Sequence, residues 1–257
     1  MKVATFNANS IRMRLGIITD WLAANSPDIL AVQETKAQDK DFPAAAFEEI
    51  GYHVVFCGEK SYNGVAIISK ELPGEVSFGL CDSGPRDEAR LAVAKIGKVN
   101  VVNAYVPQGT AVDSPKFQYK LLWFARLKKL FESRFSPDEM VLWMGDLNVA
   151  PTDKDVYDPK RLSGGVCFHP DEHRALSSVV EWGFVDVFRK HCDEEAAFSF
   201  FDYRIPNAVK RNLGWRLDHI FATKPLAMRS TAAWIDLEPR LAPKPSDHTF
   251  VVAEFDL

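Results

Sequence analysis

Polar side chains that could hold a cation or move a proton stand beside several short apolar stretches of the sequence. They are Asn7, Glu34, Asp146, Asn148, Asp247 and His248. Taken alone, each position suits a solvated acid, a turn or a cap. Because strand ends in a layered sheet gather on one rim, we expect these side chains to meet there.

The chemistry of such a set follows from its charges. Carboxylates packed together repel one another unless a cation joins them. Oxygen ligands without clustered thiols favour a hard ion such as Mg²⁺ or Mn²⁺. A cation, amides and an imidazole around one cavity can neutralise phosphate oxygens, activate water and support a leaving oxygen. These residues therefore predict metal-assisted hydrolysis of a phosphate ester.

Two further polar residues have structural interpretations when taken alone. Asp218 lies inside an apolar run, where it suits a satisfied polar group at a sheet edge. Tyr105 suits a core tyrosine at the end of a strand. Residues Cys167, His169 and His173 could form part of a zinc site. No fourth ligand is obvious and Pro170 begins a helical pattern, so zinc is disfavoured.

The elements that must position these groups alternate between strands and helices. Strands are predicted at 2–6, 28–32, 52–57, 64–69, 91–96, 99–105, 140–144, 217–222 and 250–255, from Val, Ile and aromatic content between Gly, Pro, Asn or Asp. Apolar spacing predicts helices from Ser10, as the capping residue, to Pro27, over about 115–134 and near 171–182. This mixture, with several strands in close pairs, predicts a layered α/β or α+β domain with some antiparallel pairing.

Composition limits the class of protein. Hydrophobic residues make up 47% of the 257 positions and charged residues 26%, which is globular and excludes disorder. The net charge of −4 excludes a polybasic tail, but not a phosphate-binding enzyme, since a bound cation reverses the local field. No apolar run approaches the ~18 residues that span a bilayer. The four scattered cysteines predict reduced thiols and a cytoplasmic location.

A family resemblance rests on stretches distributed along the whole chain. They are 6–12, 27–36, 63–66, 103–107, 145–151, 182–186, 198–203, 214–218 and 244–248, and they include Gly145-Asp146-Leu147-Asn148 and Ser246-Asp247-His248. In these stretches the chain resembles the exonuclease III family of class II abasic-site endonucleases. The resemblance implies one domain over 1–257, a four-layer α/β sandwich of two packed mixed sheets flanked by helices, similar to DNase I.

The resemblance also implies roles for the polar residues. Glu34 corresponds to the principal Mg²⁺ ligand, and Mn²⁺ is expected to substitute. The implied metal shell is Glu34, Asn7, Asp247, Asp146 and Asn148, and the implied catalytic residues are Tyr105, Asp146, Asn148, Asp218 and His248. Asp146 would either deprotonate the attacking water or protonate the leaving oxygen, and the resemblance leaves this open. Asp218 would fix the tautomer of His248.

Substrate contacts are implied in the same way. Phe200, Trp215 and Leu217, which read as hydrophobic core on their own, would wall a pocket for a flipped-out abasic sugar. Arg204 stands where relatives wedge a side chain into the duplex. Of two basic stretches, 204–216 is expected to contact DNA, because it adjoins this pocket. The other stretch, on the helix at 115–130, is expected to be a solvated face.

The implied activity is Mg²⁺-dependent cleavage of duplex DNA 5′ to an abasic site, leaving a 3′-hydroxyl, with 3′-to-5′ exonuclease and 3′-end trimming. A monomer without membrane contact is expected. Two alternatives stay open at this point. One is an enzyme of the same fold acting on lipid or inositol phosphates, and the other is a nucleic-acid-binding protein without catalysis.

The chain departs from the family pattern at two places. Asn9 stands where some members carry Asp, so we expect a weaker negative charge beside the metal. The segment 108–111 lacks the Arg that some relatives insert into the major groove, which weakens the expectation of tight product retention.

Overall fold

The computed structural model describes residues 1–84 and 88–257. Strands within these residues form two six-stranded sheets. The first sheet contains, in spatial order, β11 (Ser230–Asp236), β12 (Phe250–Phe255), β1 (Lys2–Asn7), β2 (Ile29–Gln33), β4 (Val65–Ser69) and β3 (His53–Cys57). The second contains β5 (Gly74–Phe78), β6 (Leu91–Ile96), β7 (Val99–Tyr105), β8 (Val141–Asp146), β10 (Asp218–Thr223) and β9 (Phe184–Asp186).

Both sheets are mixed. In the first, β1 runs parallel to β2 and antiparallel to β12. In the second, β8 runs parallel to β7 and antiparallel to β10. The helices are α1 (Ile11–Asn25), α2 (Ala44–Glu48), α3 (Pro115–Arg134), α4 (Pro159–Leu162), α5 (Pro170–Val180), α6 (Val187–His191) and α7 (Lys224–Ala227). Short 3₁₀ turns occur at Asp39–Asp41, Asp153–Asp155 and Glu238–Leu241.

The inner strands of both sheets, such as β2, β4, β8 and β10, are buried on both faces, which explains their nearly continuous apolar runs. Along β1, Val3 faces the core between the two sheets, whereas Ala4 faces the core beneath α1 and α2. Along β8, Leu142 faces the inter-sheet core and Trp143 packs under α3 and α5. The order of layers is therefore helix, sheet, sheet, helix. The predicted four-layer sandwich of two mixed sheets is confirmed.

The sequence patterns did not predict three of the strands, β5, β9 and β11. β5 and β11 are half-exposed, and β9 has three residues, so none carries a long apolar run. The predicted cap of α1 was wrong, since the Ser10 side chain makes no capping hydrogen bond. The backbone N–H groups of Ser10 and Ile11 donate instead to the carbonyls of Glu34 and Thr35, over 2.8 and 3.0 Å. The start of α1 is thereby joined to the loop after β2.

No helix among the described residues is long and apolar enough to cross a membrane. The four cysteines, all within the described part of the chain, are free thiols.

Candidate active site

Strand pairing brings the candidate residues to one edge of the sandwich. Asp146, at the end of β8, pairs with Tyr105 of β7 on one side and with Asp218 of β10 on the other. In the first sheet, β1 ends at Asn7, and Glu34 directly follows β2. The two sheets meet at this edge, where Nδ2 of Asn7 donates to Oδ2 of Asp146 over 2.8 Å.

A buried hydrogen-bonded pair lies beside Asp146. Nδ1 of His248 is 2.8 Å from Oδ2 of Asp218, and Nε2 of the same ring is 3.8 Å from Oδ2 of Asp146. The hydroxyl of Ser199 donates to Oδ2 of Asp218 over 2.7 Å. Because Asp218 accepts from Nδ1, it fixes the orientation of the imidazole and leaves Nε2 free to face Asp146.

The charges in this group oppose one another. Burial raises the pKa of Asp146, the positive charge of His248 lowers it, and the carboxylates of Asp218 and Glu34 raise it again, to about 7. Burial lowers the pKa of His248, but the carboxylates of Asp218 and Asp146 outweigh burial and raise it to about 10. At neutral pH the ring therefore carries a proton on both nitrogens and acts as a donor.

An oxygen-rich group lies on the other side of Asn7. Nδ2 of Asn7 donates to Oε1 of Glu34 over 2.8 Å. The ammonium of Lys36 lies 2.8 Å from Oε2 of Glu34 and 2.6 Å from Oδ1 of Asn9. The amide of Asn9 donates in turn to Oδ1 of Asp247 over 2.9 Å. These contacts tie the candidate metal ligands of three separate segments together.

Glu34 and Tyr105 are held in opposite protonation states. Burial raises the pKa of Glu34, but Lys36 and the hydrogen bond from Asn7 outweigh burial and lower it, so this carboxylate is ionised at neutral pH. Burial, together with the charges of Glu34 and Asp146, raises the pKa of Tyr105 well above its usual value. Its hydroxyl, which hydrogen-bonds Glu34, is therefore a donor at neutral pH.

Asn148 is placed by a tight turn after β8. Its backbone N–H donates to Oδ1 of Asp146 over 2.9 Å, and its φ is +50°, a left-handed conformation that Asn tolerates. Nδ2 of Asn148 donates to the carbonyl of Val106 over 3.0 Å and lies 3.3 Å from Oδ2 of Asp146. The amide is thus fixed beside the carboxylate.

These groups line an open cleft of about 610 Å³. One wall is apolar and contains Phe200, Trp215 and Leu217, which pack with Val156 and Phe168. The backbones of Phe200 and Trp215 exchange hydrogen bonds of 2.9 Å. The ring of Phe200 lies 4.8 Å, centre to centre, from His248. The apolar wall therefore adjoins the polar groups directly.

Arg204 stands at the mouth of the cleft. Its guanidinium is exposed and makes three hydrogen bonds to the carboxylate of Asp202, the shortest over 2.6 Å. Because the pair is solvated, it is weak and the arginine can exchange Asp202 for another anion.

The donor set fits a divalent cation. Among the described residues, Asp146, Asp218 and His248 place one ligand atom each within 4.8 Å of one another. The raised pKa of His248 leaves its ring protonated at neutral pH, and a protonated ring has no lone pair for a metal. The oxygens around Glu34 already accommodate a cation, the ammonium of Lys36, between two of them. Hard oxygen donors of this kind suit Mg²⁺ or Mn²⁺.

The structure brings the predicted polar set together around one cleft. Its members are Asn7, Glu34, Tyr105, Asp146, Asn148, Asp218, Asp247 and His248. Sequence reasoning missed Lys36 and Ser199, which hold Glu34 and Asp218 in place. The position of Lys36, two residues after Glu34, was the available signal.

Two predictions about basic residues were wrong at individual positions, whereas Lys116 and Lys129 of α3 are exposed as expected. Lys120 and Arg126 of α3 are buried, not solvated, and each forms an ion pair, with Glu172 and Asp82 respectively. In the stretch 204–216, Arg216 is 1% exposed and pairs with two buried or half-buried carboxylates, so it cannot contact DNA. Charge counting detects such residues but not the acids that face them from distant segments.

The structure gives Cys167, His169 and His173 other partners, which explains why a zinc site is disfavoured. His169 caps α5, where its Nδ1 accepts from the backbone of Asp171 over 3.1 Å. Nε2 of His173 lies 2.9 Å from the carbonyl of Ala150. Cys167 is buried with its Sγ 3.9 Å from Oδ1 of Asn148. Burial raises the pKa of the Cys167 thiol to about 12, which keeps it protonated and unsuited to a metal.

Comparison with known proteins places this geometry among nucleases. The sequence pattern described as "Endonuclease/Exonuclease/phosphatase family" matches residues 4–248. Exodeoxyribonuclease III of Haemophilus influenzae is 34% identical over 267 residues, which cover 99% of this chain and 100% of that protein.

Solved structures agree in fold over the full length. An AP endonuclease from Archaeoglobus fulgidus has a TM-score of 0.97 at 51% identity, with 100% of both chains covered. A 3′ phosphatase from Neisseria, solved with a product DNA hairpin, has a TM-score of 0.96 at 38% identity, again over 100% of both chains.

Proposed function

Because the chain belongs to the endonuclease/exonuclease/phosphatase family, we propose that it is a Mg²⁺-dependent DNA repair nuclease that cuts duplex DNA 5′ to an abasic site and leaves a 3′-hydroxyl. Removal of 3′ blocking groups and of nucleotides from 3′ ends belongs to the same proposal. One observation gives this proposal its main support. Asp146 lies between the protonated His248 and the oxygen group of Asn7 and Glu34, next to an apolar wall.

His248 and Tyr105 are the proposed donors to the phosphate. Asp218 holds Nδ1 of His248, so Nε2–H can donate to a phosphate oxygen in front of Asp146. The hydroxyl of Tyr105, kept protonated, can donate from the other side. Buried donors aimed at a phosphoryl group stabilise the charge that develops on its oxygens.

Asp146 is the proposed proton carrier. Its pKa of about 7 lets the same carboxyl accept a proton from water or return one to a leaving oxygen. Asn148 holds one carboxylate oxygen through its backbone N–H, and Asn7 holds the other. This arrangement suits both roles, and the proposal does not choose between them.

The metal shell belongs to the proposal as well. Glu34, Asn7, Asp247, Asp146 and Asn148 would hold a Mg²⁺ ion, for which Mn²⁺ would substitute. When bound, the ion supplies positive charge that polarises the phosphoryl oxygens. Lys36 would move from its place between Glu34 and Asn9.

The apolar wall supports an abasic substrate. Phe200, Trp215 and Leu217 offer mainly ring and methyl surface to an extruded sugar, and the indole N–H of Trp215 is the one polar side-chain group among the three. A sugar without a base fits such a pocket, whereas a normal nucleotide is too bulky. Arg204 at the cleft mouth would leave Asp202 for the duplex.

The two alternatives are less well supported. A small lipid or inositol headgroup needs neither the wall around Trp215 nor the arginine beside it. A binding protein without catalysis would be expected to lose Glu34, Asp146 or His248, and all three are present. Asn7 donates to both Glu34 and Asp146, and Asp218 holds His248.

The remaining parts of the proposal concern the whole chain. We propose that residues 1–257 act as one domain, since both sheets contribute to the cleft, and that the protein works as a monomer on double-stranded DNA. A cytoplasmic location agrees with the free thiols.

One experiment separates the three readings. An end-labelled duplex with a single abasic analogue is incubated with Mg²⁺ or with a chelator, beside a matched undamaged duplex and a small phosphate ester. We expect Mg²⁺-dependent incision 5′ to the analogue and a 3′-hydroxyl product. Hydrolysis of the small ester alone would favour the headgroup phosphatase. Binding of both duplexes without any cleavage would favour the binding protein.

A further inference from the structure

Lys120 of α3 is a fully buried cation that the proposed chemistry does not use. Its side chain is 0% exposed, and its ammonium donates to three acceptors. These are the carbonyl of Asn148 at 2.7 Å, the carbonyl of Gln108 at 3.2 Å and the carboxylate of Glu172. One side chain thereby joins the loop after β7, the loop after β8 and α5.

Glu172 extends this junction to a third loop. It is also 0% exposed, and its two oxygens accept from the backbone N–H groups of Cys167 and His169, over 3.1 and 3.0 Å. Gln108, Asn148 and Cys167 each line the candidate cleft. The Lys120–Glu172 pair therefore lies directly behind three segments of the cleft wall.

Packing alone does not explain this pair. Taking two charges out of water costs several kcal/mol per ion, and apolar side chains of similar volume are often as stable or more so. The strongest ammonium contact to backbone is with Asn148, whose φ of +50° is unusual for a residue other than Gly. The ammonium thus contacts the carbonyl of a left-handed turn residue whose side-chain amide lies 3.3 Å from Oδ2 of Asp146.

We propose that Lys120 is a positioning residue: with Glu172 as its counter-ion, it holds the Asn148 carbonyl so that the Asn148 amide stays against Asp146. This inference rests on the proposed function, because it assigns importance to Asn148 in phosphate hydrolysis. Lys120 itself touches neither substrate nor metal. Loss of the contact lets the turn relax, and a misplacement of about 1 Å at reacting groups costs ~10²-fold in rate.

The test removes the charges singly and together. Lys120→Met leaves the Glu172 carboxylate buried and unpaired, so it should lower both stability and kcat. Lys120→Met with Glu172→Gln removes both buried charges, so stability should recover in part, although Gln keeps one acceptor for the two backbone N–H groups that bond Glu172. We expect kcat of this double variant to stay at least ~10-fold below wild type, with KM changed by less than about 2-fold.

A matched control lies on the same helix. Arg126 is 6% exposed and pairs with Asp82 at 2.6 Å, away from the cleft. Arg126→Met should lower the free energy of unfolding and leave kcat unchanged. A similar loss of kcat in this control would contradict the inference, since any damage to α3 would then suffice.

Two outcomes of the double variant would overturn the proposal. Full recovery of kcat together with stability would make the pair merely structural. Failure to fold after both charges are removed would show that the pair is needed for folding itself and not for positioning.

Each variant is assayed on the abasic duplex and on a recessed 3′ end. A wild-type protein that trims ends but spares abasic sites would defeat the proposed function, and the effect of Lys120 would still be measured on trimming. A wild type that cuts both, beside a double variant that cuts equally well, would defeat this inference alone.

Discussion

His248 keeps a positive charge in a buried site because the carboxyl groups of Asp218 and Asp146 face its ring, and Asp218 holds Nδ1. A cation at this place suits the anionic phosphate of the proposed substrate. His248→Ala and Asp146→Asn should each lower kcat by at least ~10²-fold, because a phosphate donor or the proton carrier is lost.

The measurement is single-turnover cleavage of an abasic duplex, with DNA affinity determined in parallel. Affinity should change much less than rate, since the exposed Arg204 and the apolar wall, the proposed DNA contacts, are intact in both variants. Cleavage at the wild-type rate by either variant would remove that residue from the mechanism.

A separate prediction concerns Glu34, the proposed metal ligand, whose carboxylate pairs with the ammonium of Lys36 in the structure. Glu34→Gln removes the charge and preserves the shape. We expect kcat to fall by at least ~10²-fold at saturating Mg²⁺ and the Mn²⁺ concentration for half-maximal activity to rise by at least ~10-fold. Titration of activity with Mn²⁺ checks this. An unchanged half-maximal concentration would place the metal away from Glu34.

At the scale of elements, the apolar wall and the polar groups around Asp146 should contribute to different activities. Trp215 lies between β10 and the loop that carries Phe200, and its backbone holds that loop. Trp215→Ala should lower abasic-site cleavage more than 3′-end trimming, because only the former needs an extruded sugar in the pocket. The ratio of the two rates on matched duplexes is the measurement. An equal fall in both rates would show that the pocket assignment is wrong.

The elements also show what a sequence can and cannot predict. Strands such as β6, β7 and β12 have the predicted bounds, because each is bordered by turn residues and buried on both faces. The candidate site residues could be predicted as well, because they directly follow or precede such clearly bounded strands. The burial of Lys120 could not be predicted, since it depends on Glu172, 52 residues away along the chain.

At the scale of the whole molecule, a second buried network joins β10 to the segments around it. Arg216 pairs with Asp155 and Asp186, and donates toward Nδ1 of His219 over 3.0 Å. Nε2 of His219 lies 2.9 Å from the carbonyl of Val149, to which it donates. The imidazole must therefore be neutral in the folded protein. Burial first, and then the charge of Arg216, lower the pKa of His219 to about 4.

This lowered pKa makes global stability depend on pH. Between pH 6.5, the ordinary pKa of the imidazole, and pH 4, the unfolded chain binds a proton at this position and the folded chain does not. Stability is therefore complete above this window and falls as the pH falls through it. Gln at position 219 offers one acceptor and one donor without titrating. His219→Gln should shrink the difference in unfolding free energy between pH 7 and pH 5 by about 2 kcal/mol.

Urea unfolding at both pH values checks this prediction. His53→Gln, at an exposed position of the edge strand β3, is the matched control and should keep the wild-type difference. If His219→Gln keeps the wild-type difference as well, the buried ring is not the source of the pH dependence. Asp146, whose pKa is raised to about 7, and His191, whose pKa is lowered by burial and by Lys190, would then be the groups to test next.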